Sequence, residues 1–123
     1  MGKLIAIVDP FPRTLELIFS KDKFKILRKK YELLYAPKNK KNFFYEKNIH
    51  KASFIIGQPD LPKNLLIKAK KLKAIINVES NFINNMDYQY CFKKGIHVIA
   101  TSPVFSKPVA EIALGMTLSL LRN

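Results

Sequence analysis

The chain has 123 residues, of which 48% are hydrophobic and 25% charged, and its formal net charge is +13. This length suits one domain, and the composition is that of a globular protein rather than a disordered or collagen-like one. Cys91 is the only cysteine, which excludes an internal disulfide and a metal cluster built on cysteines. We therefore expect a cytoplasmic protein in which Cys91 is a small core residue.

The positive charge raises the question of a nucleic-acid or acidic-membrane partner. However, 19 of the 22 basic residues are lysines, whereas residues that read bases and phosphates are more often arginines. A nucleic-acid partner is therefore not expected. The longest apolar segment, residues 109–121, is shorter than the roughly 20 residues that cross a bilayer, so we expect no membrane span.

The first half of the chain predicts two strands and two helical segments. An apolar, β-branched run predicts the first strand at residues 3–8. Residues 13–30 carry apolar side chains at helical spacing, with Ser20 as a break and new N-cap. Residues 31–35 predict the second strand, and a short helix follows around residues 42–50.

The middle of the chain repeats this alternation. A third strand is predicted at residues 53–56, followed by a helix with Asp60 near its N-cap and an apolar face further along. A fourth strand is predicted at residues 74–78. Asn85 is then expected to cap a helix over residues 86–94, which ends at a glycine.

The last elements are a fifth strand at residues 96–99, a loop at residues 100–107 and a helix that starts at Pro108. Five short strands that alternate with helices predict a parallel sheet with helices on both faces. The expected fold is a flavodoxin-like, three-layer α/β sandwich. We divide the chain into an α/β domain at residues 1–107 and a bridging helix at residues 108–123.

Ligands of such sheets bind beyond the carboxyl ends of the strands, so the polar loop after the fourth strand, residues 79–84, is a candidate site. Its backbone N–H groups, hydroxyl and amides suit an anion such as a carboxylate. A turn in which the asparagines satisfy their own backbone is the alternative. The spacing alone does not decide between them.

Other chemistry is not indicated by the sequence. Neither His50 nor His97 has a carboxylate at a spacing typical of a catalytic triad or a metal pair, so no catalytic residue and no metal ligand is predicted. Dinucleotide and phosphate-binding loops need closely spaced glycines between a strand and a helix. The four glycines are far apart in the sequence: Gly2, Gly57, Gly95 and Gly115.

The last third of the chain carries a family resemblance. The run LKAIINVESNFINNMDYQYCFKKGIHVIATSP, followed by PVAEIALGMTLSLLRN, resembles the amino-terminal domain of the D-isomer-specific 2-hydroxyacid dehydrogenases. Order and spacing agree from Phe54 onward. Most of the family has an R-x-G-x-G-x-D-N loop, whereas this chain has N-V-E-S-N-F, which resembles a subgroup with a V-E-G-N-F loop.

The resemblance implies roles for particular residues. The loop of Glu79, Ser80, Asn81 and Phe82 would bind the substrate, with backbone amides holding its carboxylate. Residues facing the cofactor across an interdomain cleft would be Thr101, Ser106 and Val109. In the family the V-A-E helix leads into a nucleotide-binding domain with the glycine loop and the catalytic Arg, Glu and His, and these would lie after Asn123.

Two functions are therefore compared. The first is the substrate-binding domain of an NAD- or NADP-dependent D-2-hydroxyacid dehydrogenase, acting on a small 2-hydroxy or 2-oxo acid, inactive and without bound cofactor on its own. A separate nucleotide-binding chain is then a possible partner. The second is a stand-alone flavodoxin-like binding or regulatory module. The last helix is apolar on almost every face, so we expect self-association, for example as a dimer.

Overall fold

The computed structural model describes residues 2–79 and 81–122. Strands and helices alternate along the chain, as the sequence predicts. The strands are β1 (Leu4–Asp9), β2 (Tyr31–Tyr35), β3 (Ala52–Gly57), β4 (Ala74–Ile76) and β5 (His97–Ile99). The helices are α1 (Leu15–Ile18), α2 (Lys21–Lys30), α3 (Lys41–Asn48), α4 (Lys63–Leu66), α5 (Tyr88–Lys93) and α6 (Ser102–Leu121), with a 3-10 turn at Ile49–Lys51.

The five strands form one parallel sheet in the order β2-β1-β3-β4-β5. This is the flavodoxin-like order, in which the chain first winds outward from β1 to β2 and then crosses to the other side. The predicted fold class, an α/β sandwich with helices on both faces of a parallel sheet, is confirmed.

The central strands carry the core. Ala6, Ile7 and Val8 of β1 are consecutive and all buried, so both faces of β1 are covered, which is typical of a parallel strand between two helical layers. Ile55 of β3 and Ile75 of β4 are also fully buried. Each such side chain stabilises the fold by about 1.5–3 kcal/mol through burial.

Side chains from the connecting segments complete this core: Tyr45, Ile49, Leu61, Leu65, Leu66, Ala69, Leu72, Met86, Cys91 and Ile96. The expectation that Cys91 is a core residue is confirmed, because the side chain is fully buried. Burial also raises the pKa of the Cys91 thiol, with a smaller contribution from the carboxylate of Asp87.

Two predicted helix starts are wrong. Asp60 is exposed and does not cap a helix, because α4 is a single turn that begins after Pro62. The Asn85 side chain donates instead to the carbonyl of Pro59, at 2.7 Å. Asp87 is the N-cap of α5 and accepts from the backbone N–H of Tyr90. The predicted break at Ser20 is confirmed: its hydroxyl caps α2.

The last helix starts earlier than predicted. We expected a loop at residues 100–107 and a helix from Pro108, but α6 begins at Ser102, with a proline in its first turn and Pro108 inside it. Pro108 has no N–H to donate to Val104, so the helix lacks one backbone bond there. The predicted domain boundary at residues 107/108 therefore falls within a continuous helix.

All of α6 is exposed: no residue from Ser102 to Leu121 is buried in the structure. Its 20 residues are long and apolar enough to cross a membrane by length and composition. The expectation of no membrane span was based on residues 109–121, which are only part of this helix, so that length argument does not apply to α6 as a whole. The same length and composition also occur in helices that protein covers. The large exposed apolar side chains are Val104, Phe105, Val109, Ile112, Leu114, Met116, Leu118, Leu120 and Leu121.

Candidate functional site

The carboxyl ends of the parallel strands meet at one edge of the sheet. Asp9 ends β1, Gly57 ends β3, Asn77 follows β4, and Thr101 lies two residues after β5. The backbone N–H of Asn77 donates to the carbonyl of Ile99 in β5, at 2.8 Å. Ligands of open parallel sheets bind beyond this edge. The polar loop after β4 lies at the same edge.

The ends of β1 and β3 lie unusually close together at this edge. Gly57 is the register partner of Asp9 and has a φ of +155°. A Cβ atom at Gly57 would lie 2.9 Å from the Asp9 Cβ and still closer to the Asp9 carbonyl oxygen. Any larger residue would therefore push the two strand ends apart.

The Asp9 carboxylate is buried and paired. Its Oδ1 accepts from Lys41 Nζ at 2.6 Å, and its Oδ2 accepts from the Tyr45 hydroxyl at 3.3 Å. Burial, reinforced by the Asp9 charge, raises the pKa of Tyr45, so this hydroxyl stays protonated and donates to Asp9. These two bonds join α3 to the end of β1. Both oxygens of the Asp9 carboxylate already accept a hydrogen bond from within the chain.

Gln58 and Asn77 fix the loop after β4. The Gln58 amide donates to both the backbone and the side-chain oxygen of Asn81, each at 3.1 Å. Gln58 Oε1 accepts from the backbone N–H of Glu79, at 3.2 Å. Asn77 Nδ2 also donates to the Asn81 carbonyl, at 3.0 Å. Glu79 and Asn81 are therefore held in place by side-chain amides from two neighbouring strand ends.

Glu79 has a further partner from the other side of the site. Its Oε1 lies 2.7 Å from Nε of Arg13, which comes from the segment between β1 and α1. The Arg13 side chain is 53% exposed, so the pair contributes at most about 1 kcal/mol to stability. Its larger effect is that Arg13 and Glu79 neutralise each other's charge.

The predicted carboxylate-binding residues differ in their surroundings. The backbone N–H groups of Asn81 and Phe82 have no acceptor among the described residues, so they are available to donate hydrogen bonds to an anion. The N–H of Glu79 is already used by Gln58. The exposed Phe82 ring packs edge-on against Tyr88. Ser80 lies outside the described residues.

A cleft of about 880 Å³ adjoins this loop. Its floor includes Asn77 and Glu79, and Thr101 lies in its wall. Asn77 is buried, and its Oδ1 has no hydrogen-bond partner within the described residues. Of the three residues predicted to face a cofactor, Thr101 lines the same cleft as Asn77 and Glu79, whereas Ser106 and Val109 lie further along α6, outside the cleft lining.

Sequence reasoning missed Gln58 and Arg13. Gln58 directly follows a predicted strand end, which is the signal that could have identified it. Arg13 is 66 positions from its partner Glu79 in the sequence, so no local spacing connects the two residues.

Glycine turns and clusters of metal-ligating side chains are the features that would indicate a cofactor or metal centre. The first helix after Gly57 among the described residues is α4, which begins at Lys63, so Gly57 does not form the tight strand-to-helix turn that binds a pyrophosphate. Residues 2–79 and 81–122 also contain no group of three His, Cys, Asp or Glu side chains that could hold a metal ion. The arrangement can bind an anion and shape a cleft.

Comparisons with known proteins identify relatives among solved structures. A phosphoglycerate oxidoreductase from Rhizobium etli is 43% identical, with a TM-score of 0.79, over 96% of this chain and 36% of its own. An NAD+-bound 3-phosphoglycerate dehydrogenase from Entamoeba histolytica is 21% identical, with a TM-score of 0.60, over 94% of this chain and 38% of its own. No protein-family model and no curated protein matches.

The chain thus spans a little over a third of the length of these two proteins. The second relative shows a shared fold, and the first adds sequence identity over almost all of the 123 residues. The resemblance that the sequence carries from Phe54 onward is confirmed and extends to the first strands. The chain belongs to the D-isomer-specific 2-hydroxyacid dehydrogenase family.

Proposed function

We propose that these 123 residues are the substrate-binding domain of an NAD- or NADP-dependent D-2-hydroxyacid dehydrogenase. In this proposal, the loop of residues 79–82 binds the carboxylate of a small 2-hydroxy or 2-oxo acid. The observation that supports it most directly is the pair of backbone N–H groups at Asn81 and Phe82, which have no acceptor among residues 2–79 and 81–122. Gln58 and Asn77 hold Asn81 in place.

The physical reason is preorganisation. A carboxylate bound by free backbone N–H groups gains charge-assisted hydrogen bonds, and little ordering is needed because the loop is already fixed. The arrangement also explains why Asn81 accepts rather than donates: its two oxygens satisfy Gln58 and Asn77. The backbone amides, rather than the asparagine side chain, are then available to the substrate.

The cofactor belongs to the other half of the proposed enzyme. The nicotinamide would supply hydride transfer when bound, and Thr101, at the junction of β5 and α6, is the described residue best placed to face it. Ser106 and Val109 would contribute only if the nucleotide-binding part covers the next turns of α6. A cytoplasmic setting is part of this proposal.

Binding by the 123-residue chain tests the substrate site. We expect D-lactate to shift the backbone amide resonances of Asn81 and Phe82 in a two-dimensional NMR titration. The substitution Gln58→Leu removes three hydrogen bonds that hold the loop and should raise the Kd about tenfold. Gln89→Leu, on the exposed surface of α5, is the matched control and should leave the Kd unchanged.

Two results would contradict the proposal. The first is an absence of shifts in the loop at saturating D-lactate. The second is an equal effect of Gln58→Leu and Gln89→Leu. The 123 residues contain no glycine loop for a dinucleotide, so we also expect no NADH formation from D-2-hydroxy acids by this chain alone, and measurable turnover would refute that part.

A further inference from the structure

The cleft beside the loop differs chemically from the loop itself, and from this difference we infer that the substrate carries an uncharged, apolar side chain. The inference rests on the proposed function, because it assumes that the carboxylate binds at Asn81 and Phe82. It adds the substrate class, which the loop alone does not define.

The lining of the cleft is mainly apolar. Nine of its thirteen lining residues are aliphatic or aromatic, and they come from four separate parts of the chain. Leu17 and Ile18 lie on α1, and Val104 and Phe105 lie on the first turn of α6. The remaining apolar members are Phe19, Leu27, Ile56, Ile76 and Val78.

The charges in the cleft do not favour a second anionic group. Arg13 is the only lining residue with a positive charge, and it is paired with Glu79 at 2.7 Å. A phosphate or second carboxylate that approached Arg13 would face the Glu79 carboxylate next to it, and like charges at this distance repel. An uncharged group meets no such penalty.

The apolar side chains that line the cleft are still partly exposed to solvent. Leu17 and Val104 are each 72% exposed, so a ligand side chain placed between α1 and α6 removes apolar surface from water on both sides. Burial of apolar surface is favourable in proportion to the area removed. Asn77 and Glu79 belong both to the cleft lining and to the hydrogen bonds of the loop. The cleft therefore borders the loop, and in this inference the carboxylate binds at the loop while the side chain of the same molecule extends into the cleft.

Calorimetric or NMR titration of the 123-residue chain with three acids tests this inference. The probes are D-lactate, D-2-hydroxy-4-methylpentanoate and D-3-phosphoglycerate. We expect the branched acid to bind at least about tenfold more tightly than lactate, because its side chain has three more carbons to bury. The phosphorylated acid should bind no more tightly than lactate.

Two variants locate the effect. Val104→Ser should weaken binding of the branched acid by about threefold or more, and by a larger factor than it weakens binding of lactate, since it removes one exposed apolar wall. Leu118→Ser, also an exposed apolar residue of α6 but four turns further on, is the matched control. Glu79→Gln should improve binding of D-3-phosphoglycerate, because Arg13 is then no longer neutralised.

The outcomes separate this inference from the proposed function. Two results would overturn the inference that the substrate side chain is apolar: tighter binding of D-3-phosphoglycerate than of the branched acid, or equal effects of Val104→Ser and Leu118→Ser. Neither result would contradict the proposed carboxylate site. Failure of all three acids to bind would overturn both.

Discussion

The sheet domain and helix α6 have similar apolar residues but opposite surroundings. In the sheet, Ile7, Ile55 and Ile75 are completely buried, whereas Leu118 and Leu120 of α6 are 53% and 76% exposed. The apolar side chains of the central strands are buried within the domain, whereas those of α6 are exposed to solvent. An exposed apolar surface of this extent is typical of a site that contacts another molecule or domain. The bridging role predicted for this helix stays a prediction.

The largest expected difference between the two regions is in stability. Ile55→Ala should lower the free energy of unfolding by about 2–5 kcal/mol, because it leaves a cavity in the core. Leu118→Ala should change it by less than about 0.5 kcal/mol, as at other exposed positions. Urea denaturation at low protein concentration measures both values. Similar losses in the two variants would show that α6 is packed against the domain in solution.

Thiol reactivity compares the same two regions. Burial raises the pKa of Cys91, so less thiolate is present at a given pH, and access to the thiol is also blocked. In a Leu118→Cys protein at pH 8, we expect iodoacetamide to modify the new thiol about 100-fold faster than Cys91. In concentrated urea the two rates should converge. Rapid native-state modification of Cys91 would contradict its burial.

Self-association is the smallest expected effect. We propose that two copies of the chain bind each other through α6, and that replacing Leu114, Leu118 and Leu121 together by Gln weakens this association by about tenfold or more. Light scattering over a concentration series measures it. Thr117→Gln with Ser119→Gln, on the same helix, is the control. A monomer at all concentrations for the unmodified chain would refute the proposal.

The strands could be predicted because each is a short apolar run that polar residues, glycine or proline bound. Strands of a parallel sheet are buried on both faces, so such continuous apolar runs are typical of them. Helix starts were less predictable. Asp60 and Asn85 have the side chain of an N-cap, but their positions are decided by contacts with distant parts of the chain, as the bond from Asn85 to Pro59 shows. Proline is favoured in the first turn of a helix, and both Pro103 and Pro108 lie near the start of α6. The sequence alone does not show which of the two marks the first turn.

The candidate site was predictable to a similar degree. The polar loop follows a strand, so its location at the carboxyl edge follows from the topology. The Arg13–Glu79 pair and the Gln58 bonds depend on how β1, β3 and β4 lie side by side. The apolar cleft likewise combines residues from α1, β4 and α6, which only the folded chain brings together.

The earlier start of α6 has a mechanical consequence. Thr101, Val104 and Phe105 line the cleft at one end of the helix, and the exposed leucines lie at the other. A helix of 20 residues is about 30 Å long, so a rotation of roughly 10° about Thr101 moves its far end by about 5 Å and the cleft wall by less than about 1 Å. A large displacement of the distant end would therefore change the width of the cleft only slightly, and under our proposal this would adjust the gap that receives the side chain of the substrate.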